Sequence, residues 1–465
     1  MKFKVDPLVI NPDNPFESDA LKRKESVEAL TSFIGSLKGP FVLAIDSPWG
    51  TGKTTFIKMW QAHLNTKNAV NLYFNAWESD FSTDPLIAFV AEISSLMEHT
   101  QKENGSYKPH LSKARKLATA LAKRALPTAL RLGTAGMLNL DELSEEVIGD
   151  AAATNIGDAI DIYTAEKSLM EQFHGKLNAT IKTLEETGHN PTLIIFIDEL
   201  DRCRPTYAID LLERVKHLFN IENVIFVIAL DKEQLGVSLK GVYGEGLNTS
   251  EYLRRFIDIE FNLPKADSKL FTSHLVSKFS FKEYFDQRKG ELVYDFENFI
   301  NTFNELCSVF DLSLRAREQC FTRIAVALNG TPSNYHLYPI LLTTLAILII
   351  ADKATYKNFV FGNGTASDVL DVIKSKSGGN EFLKSRHGIL IECYLIVSKM
   401  NRHSDFNAEF DNYNSEADES KKDTPSYLHA KQILNMITHI NQKHYDGISL
   451  TYITDKLELA AQFVN

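Results

Sequence analysis

The chain is poor in cysteine. Its 465 residues hold four, Cys203, Cys307, Cys320 and Cys393, far apart and without a CxxC pair. That spacing excludes a disulfide scaffold or a cysteine-built zinc site and fits a reduced, cytoplasmic protein. The thirteen histidines are scattered with no HExxH, so no cage of protein ligands around a metal is expected. No serine or cysteine stands in a nucleophile elbow. Cationic excess is also lacking. A net charge of −10 argues against attraction of the whole molecule to nucleic acid and leaves only a local basic surface for that role. The opening MKFKVDPLVINPDNPF breaks at proline and acid before a signal-type apolar core can form. The longest apolar run, LYPILLTTLAILIIA at 337–351, falls short of the roughly 20 residues of a membrane-spanning helix. It reads as a helix buried in a helical domain, with a spanning helix as the minority alternative.

What is present is an ordinary globular balance, 44% apolar and 24% charged, in a chain long enough for several domains. No internal repeat is found. From Phe41 to about Pro264 short apolar runs alternate with amphipathic stretches. FVLAID, AVNLYFNAW, TLIIFID, NVIFVIAL and FIDIEF read as strands of a parallel sheet covered on both faces. The fold class is a doubly wound α/β core with helices in the crossovers. Residues 78–191 separate the second and third strands, far more than a βα connection needs. They hold a core helix (PLIAFVAEISSLMEH), a basic tract, an acidic patch (NLDELSEEVIGD) and a long helix near 165–186. The boundaries that follow are 1–99 and 190–264 for the core, 100–189 for a helical insertion, and 265–465 for a helical lid and C-terminal domain. Within the last, 407–426 reads as an exposed polar loop and 427–444 as a final helix.

The chemistry concentrates in AIDSPWGTGKTTF, residues 44–56. A strand, a loop of Ser47, Pro48, Trp49, Gly50, Thr51 and Gly52, and a helix opening with Lys53, Thr54 and Thr55 form the setting of a phosphate-binding loop. The glycines let backbone N–H groups converge on phosphate oxygens at a helix N-terminus. Lys53 would reach the β- and γ-phosphates of ATP, and the Thr54 hydroxyl would ligate Mg²⁺. Ser47 stands where glycine is usual and fits the turn if its φ is negative. In IIFIDELD, Asp198 ends an apolar strand and would hold Mg²⁺, while Glu199 would act as general base toward water. A helix N-cap is the alternative for Asp198, and Asp201 is the better candidate for capping. Asp231, at the tip of NVIFVIALD, either senses the γ-phosphate or caps the next helix. In EYLRRFIDIEF, Arg254 and Arg255 stand before the last strand, where an arginine can reach a neighbouring subunit's γ-phosphate.

PWGTGKTTF, YFNAWESD, IIFIDELDRCRP, VIFVIALDKEQL and EYLRRFIDIEFNLP, in this order, resemble the KAP family of P-loop NTPases, relatives of AAA+ and STAND ATPases. The likeness covers residues 15–265 and continues weakly through LSLRAREQCFTRIAVALN. It implies a five-stranded parallel sheet with the acidic strand next to the loop strand. It also implies ATP and Mg²⁺ held by Lys53, Thr54, Asp198 and Glu199. Asn75 and Trp77 would belong to the second-strand signature near the catalytic face. NPFESDALKR, 14–23, would cover adenine, Arg255 would be the basic residue before the last strand, and Arg315 or Arg317 would act as a sensor from the lid. Further implications are an Mg²⁺-dependent ATPase acting as a homo-oligomer or with a co-encoded protein, in anti-phage defence; a slow-turnover, nucleotide-gated scaffold is the alternative. Many relatives carry transmembrane helices between the two nucleotide motifs, where this chain has no long apolar span. Here SKARKLATALAKRALPTALR, 112–131, is basic and amphipathic. It suits a peripheral membrane surface or nucleic acid, or, more plainly, a solvated helix face or subunit contact.

Overall fold

The computed structural model describes residues 8–37, 39–82, 84–100, 108–125, 159–186, 192–218, 221–286, 295–332, 338–399, 403–422, 424–443 and 448–462. One compact unit spans Leu8–Lys265, and a second begins at Ala266.

The first unit is built on five strands: β1 (Phe41–Asp46), β2 (Asn71–Asn75), β3 (Leu193–Asp198), β4 (Val224–Leu230) and β5 (Ile259–Asn262). All neighbours pair in parallel, in the order β2-β3-β4-β1-β5. β3 and β4 are buried along their whole length, which is why LIIFID and VIFVIAL carry no alternating polar residues. Alternate residues feed two cores. Leu43, Ile45, Ile194, Phe196, Ile225 and Val227 meet α1 (Lys24–Gly35) and α2 (Lys53–Thr66) on one face. Val42, Ala44, Ile195, Ile197, Phe226 and Ile228 face the other core.

The acidic strand is not next to the loop strand, as the resemblance implies. β4 lies between β1 and β3, so the tips of β1 and β3 stand about 10 Å apart at two strand spacings. VIFVIAL is apolar enough for the centre of the sheet, where both faces are covered. The tip of β4 therefore stands between the loop and the acid.

The second face is covered by α4 (Pro85–Thr100), α5 (Lys108–Ala125), α6 (Ala159–Glu186), α7 (Pro205–Leu218) and α8 (Lys232–Tyr243). Two short helices, α3 (Ala76–Ser79) and α9 (Thr249–Leu253), follow β2 and precede β5. Leu111, Ala114, Leu117 and Ala118 of α5, and Leu169, Phe173, Leu177 and Ile181 of α6, belong to the same apolar cluster as β2–β4. The insertion is thus a further layer on the core. Lys113 and Arg115 are exposed on α5, opposite its apolar stripe. Residues 126–131 of the basic tract and the acidic patch lie outside the described residues.

The second unit is helical: α10 (Ser268–Phe279), α11 (Phe281–Asp286), α12 (Asp295–Val309), α13 (Leu314–Asn329), α14 (Pro339–Ala351), α15 (Lys353–Phe361), α16 (Ala366–Lys374), α17 (Gly379–Leu383), α18 (Arg386–Ser398), α19 (His403–Glu416), α20 (Pro425–Lys443) and α21 (Leu450–Gln462). The apolar run forms α14, buried from Pro339 through Leu348 among α12, α13 and α18. Among the described residues no helix is long and apolar enough to cross a membrane. The polar stretch 407–426 is not a loop throughout: α19 runs to Glu416, and the Tyr413 hydroxyl donates to buried Glu392 on α18. Phe410 packs against the same core, and Glu409 accepts from the Ser367 N–H (3.2 Å), so a few contacts dock a helix that is otherwise mostly polar. The terminal helix α21, absent from the expectation, buries Ile453 and Leu457 in the same core.

Trp60 of α2 is fully buried, packs edge-on against Phe196 of β3 at 5.3 Å, and donates to Thr31 Oγ1 at 2.9 Å. Phe196→Ala should lower the stability of the first unit by about 3–5 kcal/mol, read as an earlier denaturant midpoint; an unchanged midpoint would contradict this packing.

Candidate nucleotide site

β1 ends at Asp46, and Ser47–Gly52 turn the chain into α2. Gly50 (φ 77°) and Gly52 (φ 93°) take left-handed conformations that strain any L side chain. Gly52 also stands at the N-cap of α2, and no side chain caps that end. Its first N–H groups are therefore left to an anion, favoured further by the helix dipole. Ser47 keeps a negative φ. Its hydroxyl donates to Thr51 Oγ1 (2.7 Å), which donates to the Pro48 carbonyl (2.8 Å), a brace glycine could not supply. Thr54 and Thr55 are half-buried in the first turn of α2. The buried Lys53 ammonium donates to the carbonyls of Ser47 (2.5 Å) and Pro48 (3.3 Å).

Four aspartates act on that ammonium through their charge. Burial pushes the Lys53 pKa down, while Asp201, Asp231, Asp198 and Asp46, in that order of strength, push it back up. Lys53 and Asp198 therefore share one site across the intervening β4. Asp198 is almost wholly buried; Oδ2 accepts from the Tyr73 hydroxyl (3.0 Å) and Oδ1 from the Glu199 N–H (2.9 Å). Burial and the Asp198 charge hold the Tyr73 hydroxyl above its ordinary range. Tyr73 escaped notice in the sequence because strand alternation alone makes it a packing residue; its place beside Asp198 follows from the β2–β3 register.

Glu199 sits in the left-handed region (φ 60°). Arg202 Nη1 lies 2.6 Å from its Oε1, and the Asn75 side chain favours its charged form as well. Burial raises its pKa, opposed first by Arg202. The Asn75 side-chain Oδ1 accepts from Trp77 N and Glu78 N, capping α3. The exposed Trp77 ring lies 5.7 Å from the Arg202 guanidinium.

Asp201 does not cap a helix. Its Oδ2 accepts from the Trp49 indole N–H (2.5 Å) and from the Asp231 N–H (3.0 Å). Asp231 does cap α8, through Gln234 N (3.2 Å), and its Oδ2 accepts from the Trp49 N–H (3.1 Å). Asp46 Oδ1 accepts from Lys232 N (3.0 Å). The lead-in segment packs Phe16 on His63 of α2 at 5.4 Å, and Arg23 donates to the Pro264 carbonyl after β5 (2.6 Å).

The arginines are not brought together. Arg254 is exposed and paired with Glu251 at 2.7 Å; Arg255 is exposed over the Tyr252 ring. In the second unit, Arg315 is exposed. Arg317 is buried there, donating to Leu312 O (3.0 Å), to Ser268 Oγ and to Cys307 O (3.5 Å). Arg317 is thereby given a structural task within its own unit.

A five-stranded parallel sheet of this order, with an uncapped glycine loop on one strand and paired acids at the tip of another, defines a P-loop NTPase. The family model for the KAP family P-loop domain matches residues 23–327, and the chain belongs to that family. No curated protein matches it. Among solved structures it is similar to the ORC2 protein of Aeropyrum pernix in ADPNP–ADP complexes (12% identity, 93% of this chain and 97% of that one, TM-score 0.30). It is also similar to the ORC1 protein of Aeropyrum pernix in complex with DNA (11%, 94% and 92%, 0.32). A third similar structure is Cdc6p of Pyrobaculum aerophilum (11%, 94% and 94%, 0.28).

A prediction follows from the Lys53 balance. Burial dominates and lowers its pKa, so the charged form is less favourable folded than unfolded throughout the pH range below that value. Lys53→Met, which keeps the stem and removes the charge, should leave the nucleotide-free melting temperature unchanged or higher. It should also abolish stabilisation by added nucleotide, which for a ligand bound only by the folded state comes to about 2.7 kcal/mol at a hundredfold excess over Kd. Thermal melts with and without nucleotide test both halves.

Proposed function

We propose that the first unit binds Mg·ATP and hydrolyses it. The observation that carries this reading is a buried Lys53, held on the loop carbonyls of Ser47 and Pro48 and acted on by the charges of Asp46, Asp198, Asp201 and Asp231, with Glu199 next to Asp198 in the chain. Four carboxylates against one ammonium leave a surplus of negative charge, which disfavours a bare triphosphate and favours one that arrives with a divalent cation. The donors fit Mg²⁺, which prefers hard oxygen ligands: the Thr54 hydroxyl and the Asp198 carboxylate would hold it. When bound, the ion supplies charge neutralisation and polarises the γ-phosphoryl group.

The residues divide the remaining work. The N–H groups of Gly50 to Thr54 cradle phosphate oxygens. Lys53 exchanges the carbonyls of Ser47 and Pro48 for the β- and γ-oxygens. Tyr73 keeps Asp198 oriented. Glu199 accepts the proton of the attacking water at its carboxylate. Hydrolysis then drives a change of conformation or assembly. Arg255, exposed before β5, is available to a neighbouring copy; a role in phage defence is the biological setting the family resemblance suggests.

One observation favours the slower, scaffold-like reading. Glu199 is engaged by Arg202 and Asn75 and must be released before it can act on water. Glu199→Gln separates the two. It should retain ATP binding and lose phosphate release by at least about a hundredfold; if the wild type itself releases no phosphate, alone or with candidate partners, the scaffold is the better description. Measuring molecular mass with and without nucleotide in the same experiment tests assembly as the output.

The pH profile gives a second check. Arg202 lowers the Glu199 pKa against the upward push of burial. Removing it in Arg202→Ala should move the acidic limb of kcat/KM to higher pH, since a base must lose its proton to work. A limb that stays in place would mean that Glu199 is not the group titrating.

A further inference from the structure

Trp49 and Asp201 form a link that the assignments above leave without a task. Trp49 lies in the phosphate loop and is 45% exposed, so apolar burial does not fix it. What fixes it is polar: its indole N–H donates to Asp201 Oδ2, and its backbone N–H donates to Asp231 Oδ2. The Asp231 N–H returns to the same Asp201 oxygen. Loop, β4 tip and acidic turn are thereby closed into one ring of hydrogen bonds.

Asp201 is 6% exposed, and a carboxylate buried so deeply is costly unless its partners compensate. Its pKa is raised by burial and held down by the Trp49 bond first and the Lys53 charge second. A triphosphate alters the second of these. It draws Lys53 away from Asp201 and places negative charge beside it, leaving Trp49 as the main support of that carboxylate. Asp201 is the middle residue of the 3-10 turn Leu200–Arg202. Glu199 precedes that turn, and Arg202, its last residue, holds Glu199. A shift of Asp201 is therefore felt at both ends of the ion pair that restrains the proposed base.

We propose that Asp201 is a positioning residue that, through Trp49, couples occupancy of the phosphate loop to the placement of Glu199. The proposal rests on the hydrolase reading but is tested apart from it. Trp49→Phe removes only the N–H; Asp201→Ala removes the acceptor; Asp201→Asn keeps an acceptor without the charge. ATP affinity, measured with a fluorescent ATP analogue, should change less than about threefold in Trp49→Phe, while kcat falls about ten- to a hundredfold, as for a misplaced group. The double variant Trp49→Phe/Asp201→Ala should be no worse than the poorer single one, the signature of a shared interaction, and Asp201→Asn should recover part of the loss. Indole emission should change on adding Mg·ATP to the wild type. With Trp77, the exposed indole beside Arg202, replaced by Phe, that change should vanish in Trp49→Phe and shrink in Asp201→Ala, a readout that needs no turnover. Additive losses, or an emission response untouched by Asp201→Ala, overturn the coupling while leaving the hydrolase reading intact. A wild type that does not bind ATP overturns both.

Discussion

The candidate site depends on one buried ammonium. Lys53 opens α2 at a helix end that no side chain caps, and it is the cation on which the charges of Asp46, Asp198, Asp201 and Asp231 act. Each aspartate stands at or just beyond the C-terminal tip of a strand, β1, β3 or β4, so parallel pairing itself delivers them to one rim. The charge is unfavourable for folding and is tolerated because the loop carbonyls accept from it. A protein interior normally excludes such an arrangement unless a ligand completes it.

Much of this was legible in the residues. Strands of continuous Val, Ile, Leu and Phe could only be buried on both faces, and GTGKT between such a strand and a helix points to a single kind of site. Asp198 was recognisable because an acid at the end of an apolar run needs a partner. The partner of Asp201 was not recognisable, since the indole that binds it lies 152 positions earlier in the chain. Local reasoning gave that aspartate a local task, a helix cap, and three-dimensional proximity overrode it. Strand order failed for a related reason. Composition identifies β4 as buried but does not say which two strands flank it.

The same limit explains the polar stretch beyond residue 406. Its composition disfavours independent helix formation, yet a Tyr413–Glu392 contact between α19 and α18 orders part of it. One buried carboxylate, also reached by His429 at 3.2 Å, organises three helices. In the opposite sense, α14 was transparent. A helix apolar on every side has no option in water other than the centre of a bundle.

The inserted pair α5 and α6 has a mechanical consequence. Because its apolar stripe is continuous with the face of β2 to β4, the middle of the sheet is shielded by helices on both sides and behaves as a stiff plate. Bending it would open close-packed contacts along several elements at once. Displacements that begin at that rim would consequently have one inexpensive outlet, the turns that join strand tips to the following helices, where the candidate site residues also stand.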